Sequence, residues 1–155
     1  MMHLKKLLTT PFQRSVSKGL IVLLFVVAII GFVDASYLTV EHYANKIPPC
    51  STDGCETVLT SEYSKVFGVP VALGGAVYYL AIIALLMVYL DTKKEVFLRG
   101  ALLFTTVGFI SSLYFLILQA FVIKAYCQYC LVSALTSTIL FVTSLVIFKK
   151  YKNLI

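Results

Sequence analysis

Charged side chains are scarce in this chain of 155 residues, where Asp, Glu, Lys and Arg together make up only 13% of the sequence. Hydrophobic residues make up 60%. This balance excludes an ordinary soluble globule and is typical of a membrane protein. The sequence also has no glycine-rich phosphate loop, no internal repeat and no low-complexity segment. It therefore predicts one membrane domain.

Basic residues outnumber acidic ones, but they form no patch of the kind that binds nucleic acid. The net charge is +6, and the Lys and Arg residues flank long apolar runs. Ten of the thirteen lie in residues 1–18, in residues 91–99 or after residue 148, and three lie in the other polar segments. Under the positive-inside rule, this asymmetry puts both termini in the cytoplasm. We expect the lipid bilayer, and not nucleic acid, to be a partner of this chain.

Four apolar runs are each close to the ~20 residues that cross a ~30 Å hydrocarbon core. We predict membrane helices at about 19–40, 69–90, 100–123 and 128–148. The first run is too long for the apolar part of a signal peptide, and no good cleavage site follows it, so we interpret it as a retained helix. Residues 41–68 form a long outer loop. The predicted fold is an all-α integral membrane protein, a bundle of four transmembrane helices.

Only four cysteines are present, and the predicted topology places all of them at the outer face. Cys127 and Cys130 form a Cys-X-X-Cys pair at the start of the last run, where the free N–H groups and the dipole of a helix favour a thiolate. Cys50 and Cys55 lie in the outer loop. Because the thiolate is the attacking species in disulfide exchange, the arrangement indicates two couples that exchange with each other. Two static disulfides, as in a small disulfide-stapled transporter, and a zinc site of four cysteines remain the alternatives.

The outer loop has the features of an arm that reaches over the site. Pro48 and Pro49 stiffen the chain before Cys50, and residues 51–54 have the turn chemistry that brings Cys55 back toward it. Apolar residues then recur at helical spacing: Val58, Leu59, Tyr63, Val66 and Phe67. We predict a short amphipathic helix on the membrane face that forms a lid over the site, with an ordinary interfacial anchor as the alternative.

Two polar side chains lie within the apolar runs. Asp34 is in the first run, nearer its outer end, and an intramembrane carboxylate is by default a functional candidate. Either it handles protons near the site or it reaches interfacial water. Gln119, near the outer end of the third run, hydrogen-bonds a ligand or faces another helix. Small residues four apart favour close packing of the bundle: Gly31/Ala35, Ala72/Ala76, Gly108/Ser112 and Ser133/Ser137.

Several stretches taken together are more specific than the Cys-X-X-Cys pair alone. They are residues 31–39 (GFVDASYLT), Cys50 with Cys55, Ser61, residues 68–70 (GVP) and residues 127–130 (CQYC). Over nearly its whole length the chain resembles a bacterial-type member of the vitamin K epoxide reductase family. The resemblance implies a four-helix bundle around a quinone of ubiquinone or menaquinone type, with a loop pair that passes electrons to the Cys-X-X-Cys pair. It also implies that Ser61 donates a hydrogen bond beside the active centre.

On this basis we expect electrons to move from a thioredoxin-like protein to the quinone. The reduced partner attacks the loop disulfide at Cys55, and Cys50 then exchanges with Cys127. Cys130 faces the quinone, which lies among neighbouring side chains: Leu59, Phe67, Phe115 and Gln119. The expected location is the cytoplasmic membrane of a prokaryote, with the site on the outer face.

Two features depart from the family pattern. Many bacterial relatives carry a fused thioredoxin-like domain, whereas this chain stops at Ile155, so we expect a separate partner protein. The animal enzymes have a tyrosine one helical turn after the second cysteine of the pair, where this chain has Ala134. We therefore favour plain quinone reduction, with reduction of vitamin K quinone or epoxide as the alternative.

Overall fold

The computed structural model describes residues 17–51 and 54–152, and most of this part of the chain is helical. Its elements are α1 (Lys18–Tyr43), α2 (Cys55–Thr60), β1 (Lys65–Val66), β2 (Val69–Pro70), α3 (Val71–Thr92), α4 (Glu95–Ile117) and α5 (Gln128–Lys152). A 3-10 turn, Glu62–Ser64, follows α2, and a π-helical turn, Leu118–Ile123, continues α4. Four helices are long and apolar enough to cross a membrane: α1, α3, α4 with its π-helical turn, and α5. The prediction of an all-α protein with four transmembrane helices is confirmed. Most of the basic lead, residues 1–16, lies outside the described residues.

The four long helices pack in a closed ring. Helix α1 packs against α3 and α5, and α4 packs against the same two helices. The core between them contains large, fully buried side chains: Leu24, Tyr79, Ile82, Leu86, Leu98, Leu140 and Ile147. Because lipid is as apolar as these side chains, close van der Waals fit rather than exclusion of water holds the helices together.

Helix α4 begins five residues before the third apolar run. Lys93 ends α3 in a left-handed conformation with φ of 56°. Glu95 then starts α4, where the helix dipole favours an acidic side chain, and Arg99 pairs with it one turn later at 3.4 Å. The charged segment 91–99 is therefore mostly helical, because its charges suit a helix start.

Two glycines make room for two neighbouring tyrosines of α3. A Cβ at Gly31 of α1 would overlap the ring of Tyr79, and a Cβ at Gly108 of α4 would overlap the ring of Tyr78. Tyr79 is buried, and its hydroxyl donates to the carbonyl of Ser133 on α5 at 3.0 Å. These two small residues thus accommodate aromatic rings, whereas the sequence predicted close approach of helix backbones.

Gly31→Ala is expected to destabilise the bundle by about 1–3 kcal/mol, the usual cost of an extra methyl group in a packed site. The ring of Tyr79 would have to move, and its hydrogen bond to α5 would be lost. Gly100→Ala is the control, because a Cβ there meets only the tip of Leu85 at 3.9 Å. Thermal unfolding of both variants in detergent measures the difference, and equal melting temperatures would contradict this packing.

The outer loop carries a shorter helix than the sequence predicted. Helix α2 has six residues, and the chain then enters the hairpin of β1 and β2, in which Val66 pairs with Val69. Phe67 and Gly68 form the turn between the strands, with φ of 52° and 80°. The prediction that the helix continues to Phe67 is wrong, because Val-Phe-Gly-Val is a hairpin pattern whose glycine readily adopts positive φ.

Candidate redox site

The structure brings the loop cysteines against the start of α5. Cys50 and Cys55 form a disulfide, and Cys127 and Cys130 are thiols. The sulfur atoms of Cys50, Cys55 and Cys127 all lie within 4.8 Å of one another. Because exchange proceeds by direct attack of one sulfur on another, the loop disulfide and Cys127 are placed to exchange.

The two loop cysteines differ in exposure. Cys55 is 1% exposed and packs in one apolar cluster with Val58 and the fully buried Cys127. Cys50 is only half-buried and packs against this cluster. A protein in solution therefore has better access to Cys50 than to Cys55.

Gly54 allows the loop to come this close to the segment before Cys127. A Cβ at Gly54 would lie 2.6 Å from the carbonyl oxygen of Tyr126, 2.8 Å from its backbone nitrogen and 3.2 Å from the Cβ of Ala125. The first two atoms belong to the backbone and cannot rotate away as a side chain would. The absence of a side chain at Gly54 thus allows Cys55 to lie next to the start of α5.

The π-helical turn directs Gln119 toward the Cys-X-X-Cys pair. Gln119 is buried, and its Oε1 accepts a hydrogen bond from the N–H of Cys127 at 3.2 Å. Its side chain also hydrogen-bonds the thiol of Cys130. Turns of this kind are frequent at functional sites because they displace a side chain from its regular helical position. Gln119 therefore contacts both cysteines of the pair.

The surroundings of Cys127 favour its thiolate. The thiol of Cys130 donates a hydrogen bond to the sulfur of Cys127, and the N–H groups of Cys130 and Tyr129 at the helix start add to this effect. Together they lower the pKa of Cys127 to about 7, although the side chain is buried. A thiolate of Cys127 is thus available near neutral pH, and a thiol of low pKa is a good leaving group in disulfide exchange.

Titration of Cys127 is expected to show thiolate forming with a midpoint of about 7. Exchange with the loop disulfide should rise through the same pH range, since Cys127 is a poor nucleophile below the midpoint and a thiolate above it. Cys130→Ala removes the main hydrogen bond and should move the midpoint to higher pH. Ultraviolet absorption of the thiolate, with the loop pair kept oxidised, measures both midpoints. The absorbance change should be absent in Cys127→Ala, which assigns it to the thiolate of Cys127. An unchanged midpoint in Cys130→Ala would show that the hydrogen bond from Cys130 does not lower the pKa of Cys127.

A cavity of about 1100 Å³ lies between the outer loop and the helices. Six candidate site residues from the sequence lie on its wall: Cys130, Asp34, Leu59, Ser61, Phe115 and Gln119. Phe67, which the sequence also placed at the quinone, is instead fully exposed, because the hairpin turn projects its side chain outward. Among the described residues, the wall includes Cys130 but not Cys127. Cys127 thus faces the loop pair, and Cys130 faces the cavity.

Two polar atoms of this wall are buried without a hydrogen-bond partner among the described residues, namely Oδ2 of Asp34 and the hydroxyl of Tyr78. Buried polar groups are nearly always paired, so unpaired ones indicate where a ligand or water binds. The charge of Asp34 also acts on Cys127 and Cys130, so its carboxyl lies near the thiols. The sequence did not single out Tyr78, although two consecutive tyrosines within an apolar run were an available signal.

Ser61 lies on the same wall, and its hydroxyl donates to the carbonyl of Val58 at 2.7 Å. This hydrogen bond satisfies a carbonyl of the short helix α2. For Ser61 to donate to the active centre, as the family resemblance implies, its hydroxyl would have to rotate away from the carbonyl of Val58.

The cysteine sulfurs are also close enough to share a metal ion. Cys50, Cys55 and Cys127 form such a group, but the thiolate is the form of cysteine that binds metals. With Cys50 and Cys55 joined as a disulfide, only Cys127 of the three retains a thiol. The geometry in this redox state fits exchange rather than metal binding.

The fold and the site together define a multi-pass membrane thiol oxidoreductase, in which a loop disulfide meets a Cys-X-X-Cys pair beside a cavity. The chain belongs to the vitamin K epoxide reductase family, whose model matches residues 22–145. The matched region includes all four cysteines, and proteins of this family are in general quinone-linked. The comparison with curated proteins gave no match.

Proposed function

We propose that this protein forms disulfides in a thioredoxin-like partner and passes the electrons through its two cysteine pairs to a membrane quinone. The observation that carries the proposal is the meeting of three sulfur atoms within 4.8 Å of one another. On one side of them lies the half-buried Cys50, and on the other lies the cavity that Cys130 lines. This arrangement offers a path for electrons from the loop to the cavity.

The partner meets Cys50 first. The sequence suggested Cys55, but Cys55 is packed against Cys127, whereas Cys50 is half-buried. A thiolate of the partner attacks the sulfur of Cys50, forms an intermolecular disulfide with it and releases Cys55. The second thiol of the partner then attacks the partner's own bonded sulfur. The partner leaves with a disulfide, and the loop pair keeps the two electrons as a dithiol.

Cys55 then passes the electrons to Cys127. Its thiolate attacks the sulfur of Cys127 in the Cys127–Cys130 disulfide, which gives a Cys55–Cys127 disulfide and releases Cys130. Cys50 attacks Cys55 in turn, closes the loop disulfide and releases Cys127. This order exchanges the roles that the sequence suggested for the two loop cysteines. The result is a loop disulfide with two thiols at the start of α5, which is the redox state of the structure.

The cavity fits a quinone. Its volume of about 1100 Å³ is close to the upper end of small-molecule sites, which are roughly 300–1,000 Å³. The hydroxyl of Tyr78 and the carboxyl of Asp34 are unpaired polar groups on an otherwise largely apolar wall, as the carbonyl groups and apolar body of a quinone require. When bound, a quinone accepts two electrons and two protons, the number that Cys127 and Cys130 release on closing their disulfide. We propose a quinone of ubiquinone or menaquinone type that Cys130 faces.

Anaerobic mixing of the purified protein with a reduced thioredoxin-like protein and a soluble quinone tests the proposed function. We expect one partner disulfide for each quinol formed, since both carry two electrons. Cys127→Ala and Cys130→Ala should form neither product above the uncatalysed background. If quinol does not form, or forms without oxidation of the partner, the proposed function is wrong.

All four cysteines are expected on the outer side of a prokaryotic cytoplasmic membrane, because ten of the thirteen Lys and Arg residues are predicted at the opposite face. After reduction of intact cells, an impermeant maleimide should label the half-buried Cys50. Lys93→Cys, in the exposed turn between α3 and α4, should be labelled only after lysis, in a background without the native cysteines. Labelling of Cys50 only after lysis would reverse the proposed orientation.

A further inference from the structure

The two residues between the paired cysteines bind the backbone on both sides of Cys50. The N–H of Ser51 donates to Oε1 of Gln128 at 3.1 Å, and Nε2 of Gln128 donates to the carbonyl of Pro49 at the longer distance of 3.4 Å. The hydroxyl of Tyr129 donates to the same carbonyl at 2.8 Å. We call this set of three hydrogen bonds, made by Gln128 and Tyr129 to residues 49–51, the clamp.

The local sequence explains why these groups meet. Gln128 and Tyr129 are the first two residues of α5, and side chains at a helix start lean back toward the preceding chain. Pro48 and Pro49 favour an extended conformation, in which backbone carbonyls have no internal hydrogen bond and are available to other donors. The ring of Tyr37 from α1 packs against Tyr129, with 5.7 Å between the ring centroids. This contact supports Tyr129 in the orientation that reaches Pro49.

We propose that Gln128 and Tyr129 are positioning residues for the disulfide relay, because the clamp keeps Cys50 beside Cys55 after the loop disulfide has opened. The inference rests on the proposed function and deepens it, since it gives a role to the two residues inside the Cys-X-X-Cys pair. The Cys-X-X-Cys spacing itself requires only that two residues, of any type, separate the cysteines. The contacts to Pro49 and Ser51 need these particular side chains.

The clamp acts on the step that closes the loop disulfide. In this step the thiolate of Cys50 attacks the Cys55 sulfur of the Cys55–Cys127 disulfide. The Cys50–Cys55 bond forms, and the Cys55–Cys127 bond breaks. Cys127 leaves with the electron pair and takes up the proton that Cys50 has lost. The balance between the two disulfides depends on the effective concentration of Cys50 at Cys55. Without the clamp, the segment around Cys50 must be ordered anew at each closure, which disfavours the loop disulfide.

A disulfide population measures this effect without partner or quinone. In a Cys130→Ala background of the full chain, three cysteines share one disulfide. The protein is equilibrated with a trace of small thiol, quenched with acid, and mapped by mass spectrometry. The double variant Gln128→Ala/Tyr129→Phe should raise the ratio of the Cys55–Cys127 to the Cys50–Cys55 disulfide roughly tenfold, equivalent to about 1.4 kcal/mol. Each single variant should give part of this rise. Tyr43→Phe, at an exposed tyrosine near the end of α1, should leave the ratio unchanged.

Cys50→Ser in the same background separates this inference from the proposed function. It removes the thiol that closes the loop disulfide, so Cys55–Cys127 should become the main disulfide. If that disulfide does not form, the relay is wrong and the proposed function fails with it. If it forms while the double variant keeps the disulfide ratio of Cys130→Ala alone, the clamp does not position Cys50, and this inference alone is overturned. Thermal unfolding of each single variant checks that the ratios come from folded protein.

Discussion

A partner protein is expected to become trapped on Cys50 when Cys55 is replaced by serine. In Cys55→Ser, the thiol of Cys50 can bond to a partner whose second active-site cysteine is replaced by serine. Neither a second partner thiol nor a loop thiol then remains to open this bond, so a disulfide-linked complex accumulates. In Cys50→Ser, the remaining loop thiol is the 1% exposed Cys55, and we expect no complex. Oxidation of the partner should fall by at least about a hundredfold in both variants, because an intramolecular exchange is lost.

Each variant is incubated with a thioredoxin-like protein that keeps one active-site cysteine, activated as a mixed disulfide with a small thiol that the attacking cysteine displaces. Non-reducing electrophoresis then measures the complex. Reduction of quinone by a small dithiol that enters the cavity is the control, and it should survive in both variants because Cys127 and Cys130 are intact. A complex in Cys50→Ser and none in Cys55→Ser would restore Cys55 as the cysteine that meets the partner. That result would contradict the argument from burial.

Gly54→Ala is expected to separate the loop pair from Cys127. The added Cβ would lie 2.6 Å from a backbone oxygen of Tyr126, so the loop must move away from the start of α5. Disulfide exchange needs direct contact of the sulfurs, and a displacement of about 1 Å at a reacting centre can reduce a rate by about a hundredfold. We therefore expect a loss of that order in oxidation of the partner.

The ratio of partner-driven to dithiol-driven quinone reduction measures this loss, because only the first reaction uses the loop pair. Gly100→Ala is the matched control, since its added Cβ makes an ordinary contact at 3.9 Å, far from the cysteines in sequence. A normal ratio in Gly54→Ala would mean that the close approach of Gly54 to Tyr126 does not set the exchange distance.

The membrane helices were predictable from the sequence because each helix meets the requirements for crossing a membrane without contributions from the other helices. Crossing lipid demands a certain length of apolar chain with its backbone hydrogen bonds made internally, and each run displays that length by itself. The position of Cys127 and Cys130 is a local property in the same sense, because the change from polar to apolar residues marks the start of α5. The family resemblance also rests on motifs that can be quoted without any knowledge of packing.

The outer loop was predicted only in part, because its apolar spacing fits two structures. Val58 and Leu59 lie on or beside α2 as expected, and Leu59 lines the cavity. Val66 and Phe67 would continue that helix by spacing alone. The positive φ of Phe67 and Gly68 instead makes a hairpin, and a single glycine decided between the two because it accepts that conformation without strain.

The sequence by itself determined the number of membrane helices and the presence of two cysteine pairs, since both follow from local composition and motif. Only the tertiary structure decided which loop cysteine is buried, that Tyr78 shares the cavity wall with Asp34, and that Gln128 binds the chain beside Cys50. Each of these depends on contacts between distant segments, as in the hydrogen bond from Gln128 to Pro49 across 79 positions of the chain. Burial and hydrogen-bond partners arise from such contacts, and no pattern of neighbouring residues specifies them.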